Sequence, residues 1–186
     1  MKTRMLILVF AIAVVPVLFL LSCSKAKDAV AFDYTYKIPR TTFIYTPGIF
    51  KSGEQLIYSG TIRANLDSIL NANGFSSGVV GTTTFSKCSI TLEQPDTLTF
   101  SWLGSARGVI SATADFNPEQ EVGTVTNTDP LAKTVVLTTN NGNIRPYLGS
   151  RNFYFRLYGV LNKPLPVAWA QMYLEGQLVM HLQPLN

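Results

Sequence analysis

Strict alternation of apolar and polar side chains is the feature that most limits what this chain can fold into. Residues 152–161 show it best, with the order Phe153-Tyr154-Phe155-Arg156-Leu157-Tyr158. Because successive side chains of a strand point to opposite faces, this pattern predicts a strand with one buried face. The same period recurs along the chain between turn residues, in segments rich in Thr, Val, Phe and Tyr, as is typical of β-structure.

The pattern predicts about eight or nine strands with short connections. They are expected at residues 30–38, 41–46, 55–63, 82–93, 107–116, 134–139, 152–161 and 167–183, the last as one strand or two. Leu66, Ile69 and Leu70 instead fall at helical spacing, so one short helix is expected near 65–73, with Asn65 as its cap and Gly74 as its stop. The expected fold is an all-β, antiparallel β-sandwich, immunoglobulin-like or similar.

The first 22 residues have a different character. Lys2 and Arg4 precede an uncharged run over residues 5–21, and Leu20-Leu21-Ser22-Cys23 closes the segment. A basic start, an apolar core and a small residue at its end are the layout of a secretory signal peptide. The boundary resembles the lipobox of bacterial lipoproteins, in which an aliphatic residue, a tolerant position and a small residue precede a cysteine.

This resemblance implies that residues 1–22 are removed and that Cys23 becomes a lipid-modified N-terminus. A diacylglycerol would be joined to the Cys23 thiol, and the freed amine would usually be acylated. The alternative is an uncleaved N-terminal membrane anchor, for which the uncharged run is shorter than the roughly 20 residues that a span needs. Both interpretations place the remainder of the chain outside the cytoplasm.

The residues after Cys23 predict where the protein resides. Residues 23–28 are interpreted as an acylated polar tether and residues 29–186 as a single β-sandwich domain. Inner-membrane lipoproteins of enteric bacteria carry Asp where this chain has Ser24, so the resemblance implies the outer membrane, at its periplasmic face or the cell surface. The junction Leu21-Ser22-Cys23-Ser24-Lys25 is similar to that of envelope lipoproteins of the Bacteroidetes group.

Half of the net charge belongs to the signal segment. The formal charge of +4 includes Lys2 and Arg4, and without them 13 basic residues face 11 acidic ones. No basic run remains, so nucleic acid is not an expected partner. Acylation of Cys23 would also leave Cys88 without a disulfide partner, and in its strand-like context Cys88 is expected to be a buried structural residue.

Residues suited to catalysis are sparse. His181 is the one histidine of the sequence, and neither a phosphate-binding loop nor a dinucleotide-binding fingerprint occurs. The acidic residues are spread singly, so no pair suited to glycoside hydrolysis stands out. The sequence therefore predicts that the protein is not an enzyme and needs no cofactor.

One polar cluster has the composition of a metal site. It consists of Asp115, Asn117, Glu119 and Glu121. Oxygen ligands at every second residue can converge on Ca²⁺ in a tightly turned loop, but Pro118 interrupts the cluster and the offsets of an EF-hand are missing. A solvated acidic loop is the favoured interpretation, and a calcium site is the alternative.

Aromatic residues are the remaining functional signal. Trp102 and Trp169 would fill the core of the sandwich or form a platform for a ligand such as a sugar. Tyr154 and Tyr158 lie on the face of their predicted strand opposite the Phe residues, where a sheet, a ligand or a partner would cover them. These four residues form the candidate ligand surface.

Three functions remain open. The favoured one is a non-catalytic binding or assembly module, attached to the membrane through its lipid and displaying loops or a sheet face to another envelope protein. The second is a lipoprotein that binds a carbohydrate or lipid through an aromatic surface or apolar cleft. The third is a hydrolase.

Lipidation is tested by labelling cells with palmitate and purifying the protein. We expect label in the natural protein and none in Cys23→Ala, because only a Cys23 thiolate at the cleavage boundary would accept the diacylglycerol. Cys88→Ala is the matched control and should keep the label. Label that persists in Cys23→Ala would refute the prediction.

Overall fold

Eight antiparallel strands and one α-helix form the part of the chain that the computed structural model describes, residues 31–149 and 152–183. The strands are β1 (Phe32–Tyr45), β2 (Glu54–Arg63), β3 (Val80–Gln94), β4 (Leu103–Ser111), β5 (Gln120–Thr126), β6 (Thr134–Thr139), β7 (Asn152–Leu161) and β8 (Ala170–Leu182). Helix α1 spans Leu66–Ala72. Short 3₁₀ helices occupy Ser77–Val79, Phe100–Trp102 and Arg145–Tyr147.

The strands form one nearly closed, eight-stranded antiparallel sheet, whose two four-stranded halves face each other as the first and second sheets of a sandwich. The first has the order β1-β8-β3-β6 and the second the order β2-β7-β4-β5. β5 and β6 join the sheets along one side through two residue pairs, Gly123 with Thr139 and Thr124 with Thr138. β1 and β2 are the edge strands of the opposite side, where the Phe43 and Tyr58 rings lie 4.5 Å apart.

This strand order is that of a jelly roll, an eight-stranded double-sheet architecture. Consecutive strands such as β2, β3 and β4 lie in alternate sheets rather than pairing with one another. The predicted antiparallel β-sandwich is therefore confirmed, although the immunoglobulin-like variant is not the one adopted. Side-chain alternation specifies which face of a strand is buried but not which strand is its neighbour.

Large side chains from both inner faces fill the space between the sheets. Phe153, Phe155 and Leu157 of β7 are at most 2% exposed, and Met172 and Leu178 of β8 are fully buried. Their partners along each strand point outward and are more exposed. The alternation of apolar and polar residues along each strand therefore identifies the side chains that line the two inner faces of the sandwich.

Several predicted elements match the structure and others differ in their bounds. The strands expected at 134–139 and 152–161 have those bounds, and 167–183 contains the single strand β8. The segments expected as 30–38 and 41–46 form the one strand β1, whose pairing with β8 shifts register between Ile38 and Thr41. The strand expected to reach residue 116 ends at Ser111, and β5 occupies part of the segment interpreted as an acidic loop.

Helix α1 lies where the spacing of Leu66 and Leu70 predicts it, and both residues are buried. Asn65 makes no side-chain cap; it has a φ of 48°, and its carbonyl oxygen accepts a hydrogen bond from the amide of Ile69 at 3.1 Å. Gly74 has a φ of 80°, which glycine adopts at little cost, and the helix ends just before it.

The two ends of the sandwich carry different features. The helix end contains α1 together with Phe32 and Leu182, which face each other in the β1–β8 ladder. The far end contains the four connections 46–53, 95–102, 127–133 and 162–169. In the described ranges, the structure has no helix long and apolar enough to span a membrane.

Truncation of one core side chain tests the packing of the two sheets. Leu178→Ala should lower the free energy of unfolding by about 2–5 kcal/mol, because it removes a fully buried side chain and leaves a cavity. Leu131→Ala makes the same chemical change at a position that is 77% exposed, and should change stability by less than about 0.5 kcal/mol. Urea unfolding measures both, and equal effects would contradict the assigned core.

Candidate binding surfaces

The two tryptophans do not form a common surface. Trp102 is fully buried, and its ring stacks on Tyr45 with centroids 5.8 Å apart and an interplanar angle of 16°. Trp169 is 44% exposed in the connection before β8, at the far end. The prediction that Trp102 belongs to a ligand surface is wrong, because its ring is part of the core.

Tyr154 and Tyr158 do lie together on the outer face of the second sheet, but the protein's own groups contact them. The Arg107 guanidinium lies 4.8 Å from the centre of the Tyr158 ring. Phe116 packs edge-on against Tyr154 with centroids 6.3 Å apart, and the Arg156 guanidinium lies 3.9 Å above the Phe116 ring. Cation–π contacts of this kind occupy ring faces that a ligand would otherwise use.

A paired charge cluster adjoins the tyrosines. Arg107 donates two hydrogen bonds to the Glu54 carboxylate, from Nε at 3.0 Å and from Nη2 at 2.8 Å. The Glu119 carboxylate lies 3.6 Å from Nη1 of the same guanidinium. The hydrogen bond from Arg107 holds the pKa of Glu54 below its usual range, and the bond to Glu54 raises the pKa of Arg107.

The loop before β5 covers part of this outer face. Val109 shares a cross-strand pair with Arg156, so it belongs to the outer face, yet it is fully buried. The Ser111 hydroxyl donates a hydrogen bond to the carbonyl oxygen of Pro118 at 2.7 Å and ties the loop to β4. Phe116 is also buried despite a φ of 61°, an uncommon conformation for a bulky residue. The outer face is therefore partly covered by the chain itself.

The four residues of the calcium alternative do not converge. Glu119 lies beside Arg107, and the Asp115 carboxylate accepts a hydrogen bond from the backbone amide of Asn117 at 3.3 Å. Glu121 belongs to β5, where it pairs with Val109. Over residues 31–149 and 152–183, no group of three or more His, Cys, Asp or Glu side chains is arranged to hold a metal ion. In place of the calcium alternative, the structure has an ion pair at Glu119 and a locally bonded turn at Asp115.

Cys88 is buried in β3, as its strand-like context predicts. Burial raises the pKa of its thiol to about 12, so the thiol is protonated at neutral pH and is a poor nucleophile. Nδ1 of His181 and Oδ1 of Asp33 form a hydrogen bond of 2.9 Å at the helix end of the β1–β8 ladder. Cys88 lies in the middle of the sheet, opposite Gly176.

Exposed apolar side chains are concentrated at the far end. Of the nine large hydrophobic residues exposed in the described ranges, eight lie in far-end connections or within three residues of the far-end termini of strands: Ile44, Ile49, Phe50, Leu56, Leu131, Val136, Val160 and Trp169. Ile49 is 85% exposed and Leu131 is 77% exposed. Ile49, Phe50 and Leu131 were not among the residues predicted from the sequence. Ile49 and Leu131 directly follow the turn-forming residues Gly48 and Pro130, and Phe50 follows Ile49, which is the signal that could have found them.

Comparison with known proteins gives distant structural likenesses alone. No protein-family model matches the sequence, and no curated protein matches it. A structure of infectious bursal disease virus, Gt strain, is similar with 11% identity over 81% of this chain and a TM-score of 0.35; this chain covers 33% of that one. A structure of Desmodium yellow mottle tymovirus is similar with 10% identity and a TM-score of 0.29, and the match covers 81% of this chain and 89% of that one. The BFDV capsid protein is similar with 11% identity and a TM-score of 0.30, and the match covers 83% of this chain and 96% of that one. Nothing about the function of this chain follows from these likenesses.

The Glu54–Arg107 pair predicts a pH-dependent contribution to stability. Since the pKa of Glu54 is lower in the folded state, its carboxylate stabilises the fold above the unfolded pKa of about 4.3 and loses that effect as the pH falls through the folded-state pKa. Glu54→Gln should therefore cost no more than about 1 kcal/mol near pH 7, because both side chains are partly solvated.

The measurement is urea unfolding of both proteins near pH 7 and near pH 3. The difference between them should shrink at the lower pH. Arg63→Gln, which changes an exposed charge elsewhere on β2, serves as the control. A difference for Glu54→Gln that does not change with pH would show that the pair contributes no charge–charge stabilisation.

Proposed function

We propose that this protein is a membrane-tethered, non-catalytic envelope lipoprotein that acts as a binding or assembly module, attached through Cys23 and docking onto another envelope protein through its far end. The observation that carries the proposal is the concentration of exposed apolar side chains at that end. An apolar patch at the surface of a water-soluble domain is characteristic of an interaction site.

The arrangement of the chain supports a separation between attachment and docking. Eight residues lie between Cys23 and Phe32, which allow a reach of at most about 30 Å from a lipid-modified Cys23. β1 then runs from the helix end to the far end over 14 residues, a length of roughly 45 Å. A lipid at Cys23 would thus hold the helix end near the membrane and present the far end away from it.

The side chains at the far end suit a protein partner. Trp169 and Phe50 are aromatic, a class enriched among the residues that dominate binding energy at protein interfaces. Ile49 and Leu131 project from connections between strands rather than from the sheets. Loops carried by a rigid scaffold are a common location for binding residues.

Attachment by lipid requires no membrane-spanning helix. Each buried acyl CH₂ group contributes about 0.8 kcal/mol, and stable anchoring needs at least two chains. A bacterial lipoprotein of the kind that the Leu20-to-Cys23 sequence resembles would carry two or three chains. Ser24 favours the outer membrane as its location.

The docking proposal is tested with the intact lipoprotein in its native membrane. A photo-crosslinking amino acid at position 49 should join the protein to a defined partner band. The further substitutions Leu131→Ser and Trp169→Ser should remove that band while leaving thermal stability nearly unchanged, because both side chains are exposed.

The matched control is Phe32→Ser, which changes a partly exposed apolar residue at the helix end. This variant should keep the crosslinked band. Loss of the band in the control, or its persistence after both far-end substitutions, would count against docking at the far end.

A further inference from the structure

A cavity of about 240 Å³ lies at the helix end, where α1 and the turn at Arg145 meet the helix-end residues of β3 and β8. Aliphatic side chains form much of its wall, among them Leu66 and Leu70 of α1 and Met180 of β8. Drug-sized ligands occupy cavities of about 300–1,000 Å³. A ligand of this cavity would therefore be smaller than that class.

Thr83 is one of the residues around the cavity, and its hydroxyl oxygen is buried beneath the cavity surface. It is 1% exposed, and its Oγ1 has no hydrogen-bond partner among the described residues. Its backbone groups are satisfied, because its amide donates to Asn143 Oδ1 at 3.0 Å and its carbonyl oxygen accepts from the Ile144 amide at 2.8 Å. A buried hydroxyl without a partner costs free energy that a valine of the same shape would not.

Two opposite charges line the same cavity without neutralising each other. Asp67 stands in the first turn of α1, and Arg145 donates one hydrogen bond from Nη2 to the Ser77 carbonyl oxygen at 3.2 Å. Within residues 31–149 and 152–183, neither side chain forms an ion pair. The guanidinium keeps most of its five N–H donors available.

We propose that this cavity binds a small zwitterion with an alkyl group, namely an aliphatic α-amino acid. Its carboxylate would accept hydrogen bonds from Arg145, its ammonium would donate to Asp67, and its alkyl group would contact Leu66, Leu70 and Met180. Among the residues that the structure describes, no aromatic ring lines the cavity, so these residues offer no stacking surface of the kind that favours sugars.

This site goes beyond the docking function and does not depend on it. The cavity is at the helix end, whereas the exposed apolar side chains of the proposed docking surface are at the far end. Failure of ligand binding would leave partner crosslinking unaffected, and the reverse also holds.

Calorimetric titration of the intact lipoprotein in detergent micelles with L-leucine tests the proposal. We expect saturable binding at one site. Three related probes each lack one recognised group: leucinamide has no carboxylate, 4-methylpentanoate has no ammonium, and glycine has no alkyl side chain. Each should bind at least about tenfold more weakly than leucine, as expected for the loss of one charged or apolar contact.

Substitutions separate the ligand's contacts from the stability of the fold. Thr83→Val should leave thermal stability the same or raise it, because a buried polar atom without a protein partner is removed. Arg145→Gln and Asp67→Asn should weaken leucine binding by at least about tenfold. Arg63→Gln and Asp129→Asn lie outside the cavity and should bind leucine as the natural protein does.

Three results would overturn the proposal. The first is no saturable binding of leucine by the natural protein. The second is unchanged binding in Arg145→Gln and Asp67→Asn, which would mean that the cavity is not the site. The third is binding of glucose or glycine as tightly as leucine, which would show that neither the charge pair nor the aliphatic wall selects the ligand.

Discussion

The packing of two apolar sheet faces against each other is the interaction on which the rest of this structure depends. Each strand contributes every second side chain to that layer, so a slip of one residue would exchange the buried face of a strand for its exposed face. β7 shows what this requires, since Phe153, Phe155 and Leu157 are buried while Tyr154 and Tyr158 face outward. The register that builds the core therefore also determines which side chains are available on the outside.

The outer faces of the two sheets differ because of what covers them. The first sheet presents mostly polar side chains of β1, β3 and β8 to solvent. The second is partly covered by the loop before β5, with Phe116 held between Arg156 and Tyr154, and it is braced by the pair of Arg107 with Glu54. Because these rings and charged groups contact one another, they stabilise the outer face and are less available to a ligand. Among the residues that the structure describes, the exposed side chains at the two ends of the sandwich form fewer such contacts.

The sequence predicted the parts of the fold that are local. The alternation at 152–161 and the helical spacing of Leu66 and Leu70 depend on neighbours along the chain, and both elements lie where they were expected. The pairing of β3 with β8 and β6 joins residues distant in sequence, which alternation alone does not determine. Alternation likewise did not predict which side chains meet at the candidate binding sites. Trp102 and Trp169 have similar local contexts but opposite burial, and Thr83, Asp67 and Arg145 come together only through the fold. The predictions for Cys23 fall on residues outside the described ranges.

The position of β1 has a mechanical consequence. β1 is an edge strand, it is the first strand after the tether, and it pairs with β8 over nearly its whole length from Phe32 to Tyr45. If the protein is held at Cys23 and bound at its far end, tension between the two points runs along β1 and across its hydrogen bonds with β8, which lie perpendicular to the strands. A load in that direction shears many bonds at once rather than opening them one after another. The domain would then resist pulling most strongly along the line that joins its anchor to its partner.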